Sequence, residues 1–267
     1  MKHKLNPLQQ FTLFLSVYAL FATFFQLDFS LGFSANQWIM WHLIATLGFG
    51  FGLFYVFTRF FKKKKSIWNT VATCLIIFLV LHPGTSMAAL LYPLVATLIA
   101  ITYKFFFEYK GKPIINPVVF SLLVLASITA LLPSLENPFV SWWGASFEEP
   151  LALVLLVAWI FTGLRTWRKL PLLISFLLSY AACTYFVGGV EFVQFLFTTG
   201  TIYFFGSVML IEPKTSPVKR NQQLIYGVLT ALLYAGALKY SVQYAELVAL
   251  AGMNTIFFIQ TQRLKFS

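Results

Sequence analysis

Apolar stretches long enough to cross a membrane recur from one end of this chain to the other, and basic residues fill every second gap between them. Their cores fall at residues 10–27, 38–61, 67–82, 86–107, 114–132, 149–164, 170–187, 192–211, 222–240 and 243–262. Each approaches the roughly 20 residues that cross a hydrocarbon layer, with length differences absorbed by tilt. With 59% hydrophobic and 10% charged residues over 267 positions, a soluble domain is excluded. The expected class is an all-α integral membrane protein with about ten transmembrane helices.

Charge then sets an orientation. Threaded through ten spans, every one of the 19 Lys and Arg residues except Lys239 falls on the same side. The groups are Lys2 and Lys4; Arg59 with Lys62 to Lys65; Lys104, Lys110 and Lys112; Arg165, Arg168 and Lys169; Lys214, Lys219 and Arg220; and Arg263 with Lys265. The alternate segments carry Asp28, Glu136, Glu148, Glu149, Glu191 and Glu246, or no charge. Positive-inside bias places both termini in the cytoplasm and the chain in the plasma or bacterial inner membrane. Lys2 and Lys4 ahead of the run from Phe11 imitate a secretory signal, but that run reaches Leu27 without a small-residue cleavage site, so a first spanning helix is expected. The net charge of +11 is therefore read as helix-end anchoring against anionic lipid. Nucleic acid is not expected as a partner, because no basic patch is interleaved with stacking aromatics in a polar context.

Ten spans divide into two sets of five, residues 1–132 and 133–267. Five is odd, so the second set enters the membrane from the opposite side. That is an inverted repeat, a plan that forms ligand sites between the halves near the midplane.

Two basic turns are the most unusual local sequences. The first, Tyr109-Lys110-Gly111-Lys112-Pro113-Ile114-Ile115-Asn116-Pro117, runs into the fifth span. Asn116 before Pro117 also reads as an ordinary capped helix start. The second runs from Met209 to Arg220 and contains Glu212-Pro213-Lys214-Thr215-Ser216-Pro217. A carboxylate directly after an apolar run needs a cation or a donor, which Lys214, Thr215 or Ser216 can supply. Thr198, Thr199, Gly200 and Thr201 share the eighth span; hydroxyls beside a Gly there mark either a broken helix lining a site or helix packing.

Other residues carry less. His42 reads as a hydrogen-bonded packing histidine, or as a proton relay or heme ligand; only His3 and His82 remain, so no heme pair is expected. Gly48, Gly50 and Gly52 read as close helix packing and form no phosphate loop. Cys74 and Cys183 sit in apolar runs, and two thiols cannot ligate an iron-sulfur cluster or build a zinc site. No metal site is expected.

Gly-Lys-x-Ile-x-Asn-Pro at 111–117, Trp142-Trp143-Gly144 and Glu-Pro-Lys-Thr-Ser-Pro at 212–217 resemble, in order and spacing, one membrane family. It is the family of the B subunit of the sodium-pumping NADH:quinone reductase and the D subunit of the Rnf electron-transport complex, and in particular their short, solitary relatives. The segment from Glu246 to Asn254 is similar to the family's ending. The resemblance implies a ten-span fold of two inverted halves and a flavin, either FMN or riboflavin. The family's larger members carry FMN covalently on the Thr of a Ser-Gly-Ala-Thr motif. That motif is missing here, and the nearest hydroxyls are Ser146, after Gly144-Ala145, and the 198–201 cluster. A non-covalent flavin is therefore expected, with Ser146 the best candidate for any covalent bond.

The resulting expectation is a membrane subunit of a flavin-dependent electron-transport system, of the NADH:acceptor oxidoreductase type and with ion translocation open. It is not catalytic alone and exchanges electrons with a redox partner subunit or soluble reductase. Asn116, Glu212, Thr215 and Ser216 on the inner side, with Thr199 and Thr201 deeper, are the expected flavin-binding residues. The alternative is a transporter or channel of the same fold that moves flavin or another small polar solute.

Overall fold

A computed structural model of the chain describes residues 5–26, 33–62, 65–132, 140–145 and 150–263. They are overwhelmingly helical. In chain order the helices are α1 (Pro7–Gln26), α2 (Phe33–Arg59), α3 (Ile67–Val80), α4 (Leu91–Phe106), α5 (Pro117–Leu131), α6 (Pro150–Trp159), α7 (Leu170–Thr198), α8 (Thr201–Phe204), α9 (Arg220–Lys239) and α10 (Ala245–Arg263). One hairpin interrupts them, β1 (Glu108–Tyr109) and β2 (Lys112–Pro113). Among the described residues four segments are long and apolar enough to cross a membrane: Pro7–Phe24, Gln37–Arg59, Ala88–Phe106 and Leu170–Thr198. The chain separates into two compact units, Met1–Phe107 with Phe120–Ala152, and Glu108–Val119 with Leu153–Ser267.

The first unit is organised around α3. Asn6 and Gln9 start α1 by exchanging backbone N–H to side-chain oxygen bonds, both 2.9 Å, a reciprocal cap. Helices α1, α2 and α4 all pack on α3, whose residues Ala72 to Val80 are continuously buried. Fourteen residues rise about 21 Å, short of the ~30 Å hydrocarbon layer. A helix enclosed by protein need not match that thickness. By contrast α2 leaves Trp41, Ile44, Phe51 and Tyr55 exposed, an apolar face of the kind lipid covers. Of the three glycines read as packing residues, only Gly50 has that role: a Cβ there would strike Cys74 Sγ, whereas Gly48 and Gly52 face open space.

The last carbonyls of α3 find their partners in the 140–144 segment. Val80 O accepts from Ser141 N at 3.2 Å and Trp142 N at 3.1 Å, and Phe78 O accepts the Trp143 indole at 2.6 Å. Gly144 lies so close to Leu79 that a side chain there would clash. The Trp142-Trp143-Gly144 motif is thus a helix cap. His42 packs edge-on to Phe78 at 5.2 Å, and, unlike a hydrogen-bonded packing histidine, neither ring nitrogen has a hydrogen-bond partner among the described residues.

In the second unit α7 packs on α9, and α9 on α10. Gly227 permits the approach, since a Cβ there would meet Ser175 Oγ and Leu172 O. Phe176, Tyr180, Phe205 and Tyr234 form one aromatic cluster, with neighbouring ring centroids 4.8–5.7 Å apart. The eighth apolar run, 192–211, is a broken helix, one of the two readings its Thr and Gly cluster allows, and a further break falls in the gap between the seventh and eighth runs. Gly189 inside α7 takes φ 77°, ψ −170°, and Gly200, at φ 79°, separates α7 from α8. Both are conformations that glycine reaches without steric cost. Helix α8 then widens into a π turn, Phe205–Met209, and α6 ends in another, Ile160–Leu164.

Candidate functional site

The two basic turns meet in the second unit. The first is a hairpin in which Tyr109 faces Lys112 across a two-residue turn, with Lys110 at φ 50° and Gly111 at φ 78°. Positive φ at both central positions defines the turn type that matches strand twist, and Gly111 is the residue that adopts it freely. The hairpin feeds Asn116, whose Oδ1 accepts from Val118 N at 2.9 Å and Val119 N at 3.4 Å. The capped start expected of Asn116-Pro117 is therefore present, with Pro at the first helical position.

Asn116 does more than cap. Its backbone N–H donates to Asn254 Oδ1 at 2.8 Å, and its Nδ2 to Met209 O at 3.4 Å. Asn254 Nδ2 donates to the Tyr226 hydroxyl at 2.5 Å. The first turn is thus tied to α9, α10 and the end of the α8 segment by buried polar groups. A fully paired buried network of this kind fixes one arrangement, because each lost partner leaves another group unsatisfied.

The second turn is held from below. Ser216 Oγ donates to Glu212 O at 2.8 Å, and Thr215 Oγ1 to Glu212 Oε2 at 3.3 Å. Lys169, 3% exposed, donates to Ser216 Oγ at 2.8 Å and Pro217 O at 2.7 Å. Gln223 Nε2 reaches Val218 O at 3.1 Å and Pro217 O at 3.3 Å. Burial, and secondarily the positive field of Lys112, push the Lys169 pKa down to about 8.

Between the turns lies a cleft of about 360 Å³, at the small end of the ~300–1,000 Å³ typical of small-molecule sites. Tyr109, Phe257 and Phe258 give it an aromatic wall, with Tyr109 and Phe258 edge to face at 5.4 Å. Lys110, Lys112, Lys214 and Lys219 also line it, and among the described residues no carboxylate does. Lys214 pairs with Glu108 at 3.5 Å, behind the wall. Asn254, Gln222 and Gln262 add amides, and Gln262 Oε1 is buried without a hydrogen-bond partner among the described residues.

The expected site residues divide on this geometry. Thr215 and Ser216 line the cleft, but both are buried and direct their hydroxyl protons to Glu212. Asn116 and Glu212 stand behind it as supports. Thr199 and Thr201 do not line it; they flank the Gly200 break, where Thr199 Oγ1 donates to Leu196 O at 3.0 Å. Ser146 lies outside the described residues. Sequence reasoning passed over Lys169, whose only signal was a cation immediately ahead of an apolar run, and Asn254, an amide inside the last one.

No protein-family model matches the chain, and no curated protein matches it. What the fold and cleft define is a class: a helical chain, with helices long and apolar enough to cross a membrane, carrying a cation-lined, aromatic-walled cleft.

Proposed function

We propose that the chain is a ten-span membrane subunit of a flavin-dependent electron-transport system, holding FMN or riboflavin non-covalently and exchanging electrons with a partner reductase on the cytoplasmic side. The observation that supports this reading best is the convergence of the two resembling turns on one cleft. Its lining suits a flavin. An isoalloxazine is flat and has few hydrogen-bonding atoms, which calls for aromatic walls and sparse amides. Tyr109, Phe257 and Phe258 offer the first, and Asn254, Gln222 and Gln262 the second. The unpaired Gln262 Oε1 is an acceptor for an N–H of the kind the ring carries. Asn116, Glu212, Thr215 and Ser216 act in this reading by shaping the cleft. The flavin, when bound, supplies the electron-carrying chemistry. With two cysteines the chain has too few thiols for a cluster, so electrons come from another protein. The basic inner face suits an acidic reductase or anionic lipid.

Purification in an uncharged detergent tests this. A yellow preparation with about one flavin per chain, released on denaturation so that the gel band is not fluorescent, is the expected result. Retained band fluorescence would overturn the non-covalent assignment and direct attention to Ser146. A colourless preparation that takes up no added flavin would sink the flavin reading.

The transport alternative has its own observation. Breaks at Gly189 and Gly200 and the π turn Phe205–Met209 make a discontinuous helix, the device by which transporters expose backbone groups to a solute. Protein-dependent flavin uptake into vesicles without redox turnover would establish it in place of electron transfer.

A further inference from the structure

The charge on the cleft exceeds what a flavin ring requires. Four lysines line it, and only Lys214 among them pairs with an acid among the described residues. Lys110 lies over the Tyr109 ring at 5.2 Å, which keeps its ammonium beside the aromatic wall. Lys169 adds a fifth cation under the floor, clasped by Ser216 and Pro217. Like charges gathered on one small cavity repel one another, and no carboxylate in the lining offsets them. Lys110, Lys112 and Lys219 are exposed, and all four lysines share a concave surface with Gln222 and Asn254. We infer that the cleft between the 109–114 hairpin and the 212–219 turn is a phosphomonoester site, taking a terminal phosphate on its lysines beside an apolar or aromatic body.

A phosphate monoester fits the arrangement for three reasons. It carries about −1.5 to −2 charges near neutral pH and three strong acceptor oxygens, so several ammonium groups can share it. Lysine, a point charge on a flexible stem, approaches such a group from any side, whereas a planar carboxylate is better matched by Arg, and no Arg among the described residues lines this cleft. The cavity is too small for a nucleic-acid strand or a protein tail to lie along. A phosphate on a planar ring, as in FMN, and the phosphate of an anionic lipid such as phosphatidic acid present the same chemistry. The inference concerns the cleft named in the flavin reading but does not depend on it.

The test is a binding titration of the full chain in uncharged detergent at low salt. FMN, riboflavin and inorganic phosphate serve as probes, and mixed micelles with and without phosphatidic acid form a second arm. FMN is expected to bind at least tenfold more tightly than riboflavin, with inorganic phosphate competing and affinity falling as salt rises. The double variant Lys112→Met/Lys219→Met, at two exposed positions, should lose that preference and bind FMN no more tightly than riboflavin, while relief of like-charge repulsion keeps the melting temperature from falling. Displacement of FMN by phosphatidic acid would identify a lipid as a competing source of the same group. Equal affinity for FMN and riboflavin would overturn the phosphate site and leave the flavin reading standing. Binding of phosphate and phosphatidic acid but of neither flavin would support the site and sink the flavin reading. Binding of none would remove both.

Discussion

Lys104 and Lys169 are each 3% exposed and each donate to a hydroxyl and to main-chain oxygen, yet they hold different kinds of structure. Lys104, in the last turn of α4, reaches Thr73 Oγ1 at 2.5 Å and Asn69 O at 2.9 Å in the first turns of α3. Both partners sit on a regular helix already fixed by its own ladder and, from Ala72 onward, by continuous burial. Lys169 reaches Ser216 and Pro217, which belong to a turn with few main-chain bonds of its own. A buried ammonium costs several kcal/mol to desolvate in either place unless well paired. Between helices it offsets that cost as a cross-link; under a turn, it decides where a cleft wall stands.

The largest effects come from removing these two cations. Lys104→Met removes two charge-assisted bonds, at roughly 1.5–3 kcal/mol each, although Asn69 O still accepts from Thr73 Oγ1 at 2.9 Å, so the melting temperature should fall while FMN affinity of the folded fraction is unchanged. Lys169→Met should cost a similar order of stability and, in addition, weaken FMN binding more than tenfold, because the wall at Ser216 loses its anchor and the cleft a charge. Thermal melts paired with titrations would separate the two. The comparison breaks if Lys104→Met loses binding or Lys169→Met keeps it.

Asn254 sharpens the same contrast with a neutral group. Asn254→Leu strands the Asn116 N–H and the Tyr226 hydroxyl, costing about 1–3 kcal/mol for each group left unpaired. Tyr226→Phe strands one group, the buried Asn254 Nδ2 donor, and should cost about 1–3 kcal/mol once instead of twice. Chemical denaturation, with flavin content as the second readout, checks the order. A Tyr226→Phe variant less stable than Asn254→Leu would show that the hydroxyl, not the amide, is the hub.

Much of this was legible in the chain itself, for definable reasons. Apolar length and basic gaps located the helices, because covering a helix with hydrocarbon or with protein leaves the same apolar signature. The same signal hid the difference between α3, enclosed by protein, and α2, with an open apolar face, since both read as continuous apolar runs. Gly200 beside three threonines was legible as a helix break or as a packing site, and backbone geometry decides for the break, while Gly189 falls in the gap already read between the seventh and eighth runs. The two turns stood out because charged, Pro-rich sequence is rare among such runs, and they do converge. Their closing partners Lys169 and Asn254 come from positions 47 and 138 residues away, a separation no local pattern encodes.

A third test uses pH. Lys169 titrates near 8 in the folded chain, against 10.5 for an ordinary lysine, chiefly because it is buried and further because Lys112 repels its proton. Between those values the unfolded chain binds a proton that the folded chain has released, so stability should rise with pH across that window. Phosphate affinity should run the other way, falling as pH rises through about 8, because a cation facing Lys112, Ser216 and Pro217 is lost. The ligand is already largely dianionic there, so its own titration does not contribute. Melts and FMN titrations from pH 7 to about 9.5 should therefore move in opposite directions in the native chain, by a few-fold in affinity. Both slopes should flatten in Lys169→Met. Parallel movement would mean that Lys169 serves the turn alone and not the bound anion.

The smallest effect belongs to the exposed counterpart of these buried cations. Lys214 is 34% exposed and meets Glu108 at 3.5 Å, a distance at which water competes strongly with the pair. Partly exposed pairs of this kind contribute about 0–1 kcal/mol, so Glu108→Gln should leave the melting temperature within a degree or two. Its effect on the cleft has the opposite sign from Lys169→Met: with the carboxylate neutralised, Lys214 is released toward the lining and FMN affinity should rise by about twofold, more at low salt than at high. A fall in affinity would show that Glu108 holds Lys214 in the orientation the ligand needs. Exposed and buried cations would then be doing the same job, and the contrast drawn from Lys104 and Lys169 would rest on burial less than on which turn each one touches.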